Sequence, residues 1–243
     1  RCSPIAISTR HCASSTTAGE SSHLGISEFF VERGAYMNFT MIHSWDKDID
    51  VKPMSVTLVD DEATFVSNYV SMKPVRDITM YPTAVFRGKN AKGTFSSVIV
   101  SHKGSHQDIG SRALLRGEGS SCEIISRAVS LGGTIIARGH LSGEAKDVKA
   151  HLECRGLVVS EQGKIHAIPE LETAWRDVEM SHEAAVGKIN KDEIEYLQSR
   201  GFTQEEAQAA IIRGFVDVEI LGLPRELQAE IKKLEDQTLK EGL

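Results

Sequence analysis

A histidine and a glutamate are adjacent at His182 and Glu183, and a cysteine, Cys154, lies upstream of them. Thiolate, imidazole and carboxylate groups are the ligand types that iron uses in proteins. The same residues also have ordinary structural roles, because a histidine often forms hydrogen bonds within a fold and a glutamate is usually a solvated charge. Their spacing alone leaves an iron site and a structural role both open.

The motifs of several common enzyme classes do not occur in the sequence. No G-x-x-x-x-G-K-[ST] phosphate-binding loop is found, so we expect no ATP hydrolysis by this chain itself. The G-x-S-x-G motif of serine hydrolases is also missing. The His182-Glu183 pair is followed by Ala-Ala-Val and therefore does not form the H-E-x-x-H motif of zinc proteases.

Composition narrows the classes of partner. The net charge is −6 and no run of basic residues is interleaved with aromatic ones, so we expect no nucleic-acid partner. The apolar runs are far shorter than the roughly 20 residues that a membrane span needs, and we expect no membrane span. The cysteines are scattered without a C-x-x-C pair, which favours the reducing cytoplasm. The sequence begins Arg-Cys-Ser-Pro without an initiator methionine or signal peptide, and we interpret it as lacking its N-terminal part.

The residues that could bind iron must be positioned by a chain rich in predicted strands. Between residues 27 and 172, short β-branched and apolar runs alternate with clusters of Gly, Ser, Asn and Asp. Strands at roughly ten-residue spacing suit either a β-sandwich or a solenoid of stacked strands. Turns made of small residues, and the lack of Asn-Gly or Asp-Gly hairpin signals, favour the solenoid.

The pattern becomes helical after Gly187. Asn190 is a predicted N-cap, Gly201 a predicted C-terminal glycine, and Thr203 to Glu206 a predicted capping box. We expect the second helix to bury one stripe of small and apolar residues, and a third helix to begin at Pro224. The stripe comprises Ala207, Ala210, Ile211, Gly214, Phe215 and Val218.

Three ordered segments in the C-terminal half resemble the signature of the SufB/SufD family, the core subunits of the SUF system for iron–sulfur cluster assembly. They are residues 165–172 (IHAIPELE), 180–189 (MSHEAAVGKI) and 195–202 (EYLQSRGF). Residues 86–95 and 106–110 are similar to the middle of the same family, so that the resemblance covers essentially the whole chain.

The resemblance implies a mainly β fold, with a right-handed parallel β-helix core and a small C-terminal α-helical domain. We expect the core to comprise residues 1–187. Residues 188–243 are expected to form the helical domain, which in this family docks the SufC-type ABC ATPase. The chain is then a scaffold and not an enzyme, and ATP hydrolysis belongs to the partner.

The resemblance also implies roles for four residues. Cys154 and Glu183 match family positions that bind the nascent iron–sulfur cluster, and His182 matches a histidine implicated in cluster formation between two core subunits. Cys12 aligns with the family cysteine that accepts sulfur from a donor system, when Trp45 is matched to the family tryptophan downstream. We expect Cys12 to lie in a polar setting near His11 or His43. No cluster is expected to be bound permanently.

One departure from the family pattern bears on the partner subunit. SufB-like chains usually carry an acidic residue where this chain has Ser181, whereas SufD-like chains usually lack the glutamate and the cysteine. We therefore favour a core subunit that pairs with a copy of itself over a SufB–SufD heterodimer.

Two other functions compete with a cluster scaffold. The first is a SufD-like structural subunit without its own cluster, against which Cys154 and Glu183 argue. The second is a β-helical polysaccharide-active enzyme, which would need clustered acidic residues on one face, whereas those of the β region are dispersed.

Overall fold

The computed structural model describes residues 5–13 and 21–216, with the backbone alone for residues 5–13. In this part of the chain, fourteen strands precede two helices. The strands are β1 (Ile5–Ala13), β2 (Ser21–Val31), β3 (Tyr36–Ser44), β4 (Ile49–Val59), β5 (Thr64–Ser71), β6 (Asp77–Met80), β7 (Thr83–Phe86), β8 (Lys92–Ser101), β9 (His106–Leu115), β10 (Ser121–Ser130), β11 (Thr134–Gly143), β12 (Val148–Val158), β13 (Lys164–Thr173) and β14 (Val178–Lys188). The helices are α1 (Lys191–Ser199) and α2 (Gln204–Val216).

The chain winds between two parallel sheets. Sheet A has the order β1-β3-β5-β8-β10-β12-β14, and sheet B has the order β13-β11-β9-β6-β4-β2. Strand β7 lies beside β6 in sheet B, where both pair with β4 and β9, so that these two short strands share one position. The chain is therefore a parallel β-helix of about six turns followed by helices, which confirms the predicted fold class and rules out the sandwich.

Residues one turn apart along the chain lie side by side in a sheet. Ser97 pairs with Ser126, and their hydroxyl groups form a hydrogen bond of 3.1 Å between residues 29 positions apart. Because side chains alternate between the two faces of a strand, every second residue points into the solenoid. The interior is filled by apolar residues from both sheets, among them Phe95, Ile135 and Leu152.

The predicted helix caps are confirmed. Asn190 accepts a hydrogen bond from the Asp192 N–H at 3.0 Å. At α2, the Thr203 N–H donates to Glu206 Oε2 at 2.8 Å and the Glu206 N–H donates to Thr203 Oγ1 at 3.2 Å, which is a complete capping box. Gly201 has a φ of +97°, which a C-terminal glycine adopts at little cost.

Helix α2 packs on the outer face of sheet A. Its Ile212 and Val216 are buried against Val98 and Val129. In the predicted stripe Ala207 is buried and Ala210, Ile211 and Phe215 are partly buried. Gly214 is exposed, so the prediction is wrong there, because the sheet is met by the side of the helix that carries Ile212 and Val216. Val218 lies outside the described residues. The third helix predicted from Pro224 lies outside the described residues.

The last strand ends at Lys188 and the first helix begins at Lys191. The division of the chain into domains at residue 187 stays a prediction. No helix in the described part of the chain is long and apolar enough to cross a membrane.

Candidate functional site at the last turns of the solenoid

Cys154, His182 and Glu183 lie on two neighbouring strands. Cys154 is on β12, and the other two are on β14, which pairs with β12 in parallel. The register places Leu152 beside His182, Glu153 beside Glu183 and Cys154 beside Ala184. Strand β14 is the last strand of sheet A, and its outer edge has no neighbouring strand in the described part of the chain.

The alternation of side chains separates these residues into two groups. Cys154 shares a face with Ala184 and therefore with His182, two residues earlier; this is the face that carries the buried Leu152. Glu183 shares the opposite, outer face with Glu153. The structure therefore places His182 on the same face as Cys154, on the neighbouring strand, and Glu183 on the other side of the sheet.

Cys154 is a buried thiol with 2% of its surface exposed. Burial, and secondly the negative charge of Glu153, raise the pKa of the Cys154 thiol to about 11, while Arg127 acts in the opposite direction. The thiol is therefore protonated at neutral pH, and a cation that binds it must displace the proton.

A network of charges lies on the outer face behind Cys154. The Glu153 carboxylate is 2.7 Å from an Arg127 nitrogen and 2.6 Å from Arg155 Nε, and Arg155 also reaches Glu183 at 3.4 Å. Arg127 and Glu153 are largely buried, with 15% of each side chain exposed. None of the three charged residues Arg127, Glu153 and Arg155 was predicted from the sequence, although Glu153 and Arg155 flank Cys154 directly.

Cys154 and His182 supply two ligand types on one face, a thiol and an imidazole. Within residues 21–216, the side chains form no group of three or more His, Cys, Asp or Glu residues that could hold a metal ion.

The predicted sulfur acceptor, Cys12, lies at the opposite end of the solenoid. It is on β1, where its backbone pairs with that of His43 on β3. His43 is buried, and its Nδ1 is 2.8 Å from the Tyr69 hydroxyl oxygen. Burial, followed by the nearby His23, lowers the pKa of His43 to about 3, so that the imidazole is neutral at physiological pH.

One row of paired positions on sheet A runs along the solenoid to Cys154. From β3 to β12 the row contains Met41, Tyr69, Ser97, Ser126 and Cys154. Three of these residues carry hydroxyl groups. A small cavity of about 30 Å³ is lined by Tyr69, Ser97 and Ser111, among others. The interior is therefore partly polar along this row.

The last turn forms an open end, defined here as strands β13 and β14 with the loop between them. Each strand is the terminal strand of its sheet in the described part of the chain. Leu171, Trp175 and Val186 are large apolar side chains exposed at this end. Unpaired strand edges with exposed apolar groups are surfaces on which another chain can add.

Helix α1 contributes no buried residue to the fold. Tyr196 on α1 and Phe202 in the following turn are exposed. The two helices and the turn between them therefore present two exposed aromatic side chains.

The fold and these residues define a class of protein: a parallel β-helix with a thiol and an imidazole on one face of its last turns. Residues 6–215 match the family model described as the SUF system FeS cluster assembly, SufBD core domain. The chain belongs to this family, which confirms the resemblance noted in the sequence. Members of the family are components of iron–sulfur cluster assembly.

Individual relatives agree with the family match. An iron–sulfur cluster assembly SufBD family protein of Archaeoglobus fulgidus is 54% identical over 211 residues, which are 87% of this chain and 57% of that protein. A protein of the same description from Methanothermobacter thermautotrophicus is 47% identical over 94% of this chain and 56% of its own length. The iron–sulfur cluster assembly protein SufB of Bacillus subtilis is 28% identical over 92% of this chain and 48% of its length. The chain thus spans about half the length of these relatives.

Proposed function

We propose that this protein is a core scaffold subunit of the SUF system that receives sulfur at Cys12 and builds a nascent iron–sulfur cluster with Cys154 and His182. The observation that carries the proposal is the placement of Cys154 and His182 on one face, next to the unpaired edge of β14. The family match supports the general role in cluster assembly.

The proposed ligands suit the chemistry of the iron in a nascent cluster. Iron favours a thiolate over a thiol, so binding of ferrous iron to Cys154 releases the thiol proton even though the pKa of the free group is about 11. The second ligand, His182, binds iron as a neutral imidazole. Glu183 stays a predicted ligand, but its side chain lies on the outer face in contact with Arg155, so it reaches the iron only if β14 rearranges.

A second subunit is proposed to complete the site. The open end offers two strand edges and exposed apolar groups, and a two-fold interface there places the same surface of both copies together. His182 lies on the terminal strand of that end, so each copy brings its own ligands to the interface. Self-pairing is therefore our first choice, and pairing with a different SufB/SufD-type subunit is the second.

In this proposal sulfur travels along the solenoid from Cys12 on β1 to Cys154 on β12. Strands β1 and β12 are five steps apart in sheet A, which corresponds to about 24 Å at 4.8 Å for each step. The row of Tyr69, Ser97 and Ser126 supports an interior route, because hydroxyl groups can hydrogen-bond a polar sulfur species along it. A sulfur donor system outside this chain loads Cys12.

The C-terminal helices are proposed to dock a SufC-type ABC ATPase, which supplies ATP hydrolysis. Exposed aromatic residues such as Tyr196 and Phe202 support this assignment, since aromatic side chains are enriched at protein interfaces. The proposed compartment is the cytoplasm, where free thiols persist; Cys122 and Cys154 are both free.

A SufD-like structural subunit without its own cluster is the second candidate function. The deep burial of Cys154 and the lack of a three-residue metal group within residues 21–216 favour it. The β-helical polysaccharide-active enzyme gains no support from the family match.

Anaerobic reconstitution with ferrous iron and sulfide, alone and with a SufC-type ATPase, tests the proposal. We expect visible absorption and bound iron in the wild type, loss of both in Cys154→Ser, and retention in Cys122→Ser, which removes another buried free thiol. If Cys154→Ser keeps its cluster, or the wild type binds none while it binds the ATPase, the structural subunit is the better account.

A further inference from the structure

A cavity of about 540 Å³ lies at one corner of the solenoid, where the chain passes from sheet A to sheet B. Its walls come from four successive turns, namely the loops that follow β3, β5, β8 and β10. Each loop supplies at least one residue of the lining, and among these residues are Lys47, Arg76, Lys103 and Leu131. They are about one turn apart along the chain, so only the stacking of turns brings them together.

The residues that line the cavity carry more positive than negative charge. Lys47, Arg76 and Lys103 are cationic, and Asp48 is the acidic member of the lining. Arg76 is already paired with a carboxylate outside the lining, since its Nε is 2.6 Å from Asp50 Oδ1. Lys47 and Lys103 are exposed and form no ion pair with any residue of the described part of the chain. Two cations are therefore available to an anion that enters the cavity.

Much of the cavity wall is fixed by the fold. Val75 and Leu131, two buried side chains, supply an apolar part of the lining. His102 is held in place by the Met72 carbonyl oxygen, which accepts a hydrogen bond of 2.8 Å from Nε2. The loop after β8 turns at Gly104, whose φ of +84° is readily adopted by glycine. Ligand sites commonly combine such an apolar surface with a small number of charged groups.

We propose that this cavity binds a small molecule with a diphosphate group, which is held by Lys47 and Lys103. The two lysines lie on loops two strand steps apart in sheet A, about 10 Å at 4.8 Å for each step. Lysine is a flexible point charge and a common partner of phosphate groups. Each negative charge of the ligand is attracted by two lysines and repelled by Asp48, so the net attraction grows with the number of charges. This favours a diphosphate over a single carboxylate.

The site shares no residue with the proposed sulfur and iron sites, so it does not depend on the proposed function. Isothermal titration calorimetry of the full chain tests it with two probes, inorganic pyrophosphate and ADP, at low ionic strength and without magnesium. We expect both probes to bind to the wild type. Lys47→Ala and Lys103→Ala are each expected to weaken binding about fivefold. Asp48→Asn removes the opposing charge and is expected to strengthen binding.

The two probes distinguish the source of the diphosphate. Tighter binding of ADP than of pyrophosphate supports a nucleotide whose organic part contacts Val75 and Leu131. Equal affinities support the free diphosphate as the ligand.

Lys146→Ala is the matched control. Lys146 is an exposed lysine in the loop between β11 and β12, at the opposite corner of the solenoid, and the variant is expected to bind both probes like the wild type. Three results would overturn the proposal: no binding of either probe to the wild type, unchanged binding in Lys47→Ala and Lys103→Ala, or a loss of the same size in Lys146→Ala. Circular dichroism verifies that each variant is folded.

A measurement on the unsubstituted protein gives an independent check. Acetic anhydride acetylates exposed lysines, and mass spectrometry of the peptides gives the extent of acetylation at each position. We expect pyrophosphate to lower the acetylation of Lys47 and Lys103 several-fold and to leave that of Lys146 unchanged. Equal acetylation of Lys47 and Lys103 with and without pyrophosphate would contradict the site.

Discussion

Cys154 and Glu183 lie on neighbouring strands of sheet A but on opposite faces of it. A single subunit therefore cannot direct both side chains at one iron atom without rearrangement of β14. His182, by contrast, shares the inner face with Cys154. The two neighbours in sequence, His182 and Glu183, thus have different relations to the same cysteine.

We predict different effects of substituting these two residues. His182→Ala removes an inner-face ligand and is expected to lower the iron retained after anaerobic reconstitution several-fold. Glu183→Gln keeps the inner face intact and is expected to retain most of the iron. Iron quantification and visible absorption of the three proteins provide the measurement. Equal loss in both variants would mean that β14 rearranges to bring Glu183 to the site.

The reactivity of Cys154 is expected to depend steeply on pH. Since its folded pKa is about 11, the thiolate fraction rises about tenfold for each pH unit up to pH 10. Alkylation by iodoacetamide, followed by mass spectrometry of the Cys154 peptide, should show this slope and no plateau below pH 10. A plateau near pH 8.5 would show an ordinary exposed thiol.

The raised pKa of Cys154 also makes the free energy of unfolding depend on pH. The folded state holds the Cys154 proton up to about pH 11, whereas an unfolded cysteine loses it near pH 8.5. The folded state therefore binds more protons in this window, and its stability falls as the pH rises through it. Cys154→Ala should flatten this part of a stability profile measured by denaturant unfolding.

The two arginines that contact Glu153 are predicted to differ in their contribution to stability. Arg127→Leu leaves a largely buried carboxylate with less compensation and is expected to cost about 3 kcal/mol. Arg155→Leu removes a guanidinium that is 46% exposed and is expected to cost less than about 1 kcal/mol. Urea unfolding of both variants measures the difference; equal costs would show that burial does not separate the two pairs.

The open end is predicted to mediate self-pairing. Val186→Glu introduces a charge at an apolar side chain that is 45% exposed there and is expected to convert a dimer into a monomer. Ile26→Glu, at a side chain 72% exposed on β2 near the other end, is the matched control and should remain dimeric. Sedimentation velocity distinguishes the two states. A wild-type monomer would instead favour a different partner subunit.

Local features were predictable from the sequence, whereas features that depend on register were not. The Asn190 cap and the Thr203–Glu206 capping box depend on residues within a few positions of one another. The contact of Arg127 with Glu153 joins different turns and depends on the pairing of β10 with β12. The face occupied by Glu183 likewise follows from the pairing of β14 with β12, which no short motif encodes.

The fold class could be predicted from the sequence for another reason. Turns of small residues at regular intervals suggested stacked strands, and the family resemblance specified the β-helix. The break between β6 and β7 escaped prediction, although Pro82 between them is a residue that cannot donate a ladder hydrogen bond. The prediction that Gly214 is buried was also wrong, because a pattern of small residues does not reveal which side of a helix meets a sheet.

The winding of the chain has a thermodynamic consequence for its two ends. Contacts in the solenoid are concentrated between strands that are adjacent in a sheet, so cooperativity passes only from neighbour to neighbour. The last turn can therefore exchange its amide hydrogens through local opening events that leave the first turns protected. In the proposed function, β14 can loosen to admit iron while the buried side chains of His43 and Trp45 in the first turns stay closed to solvent.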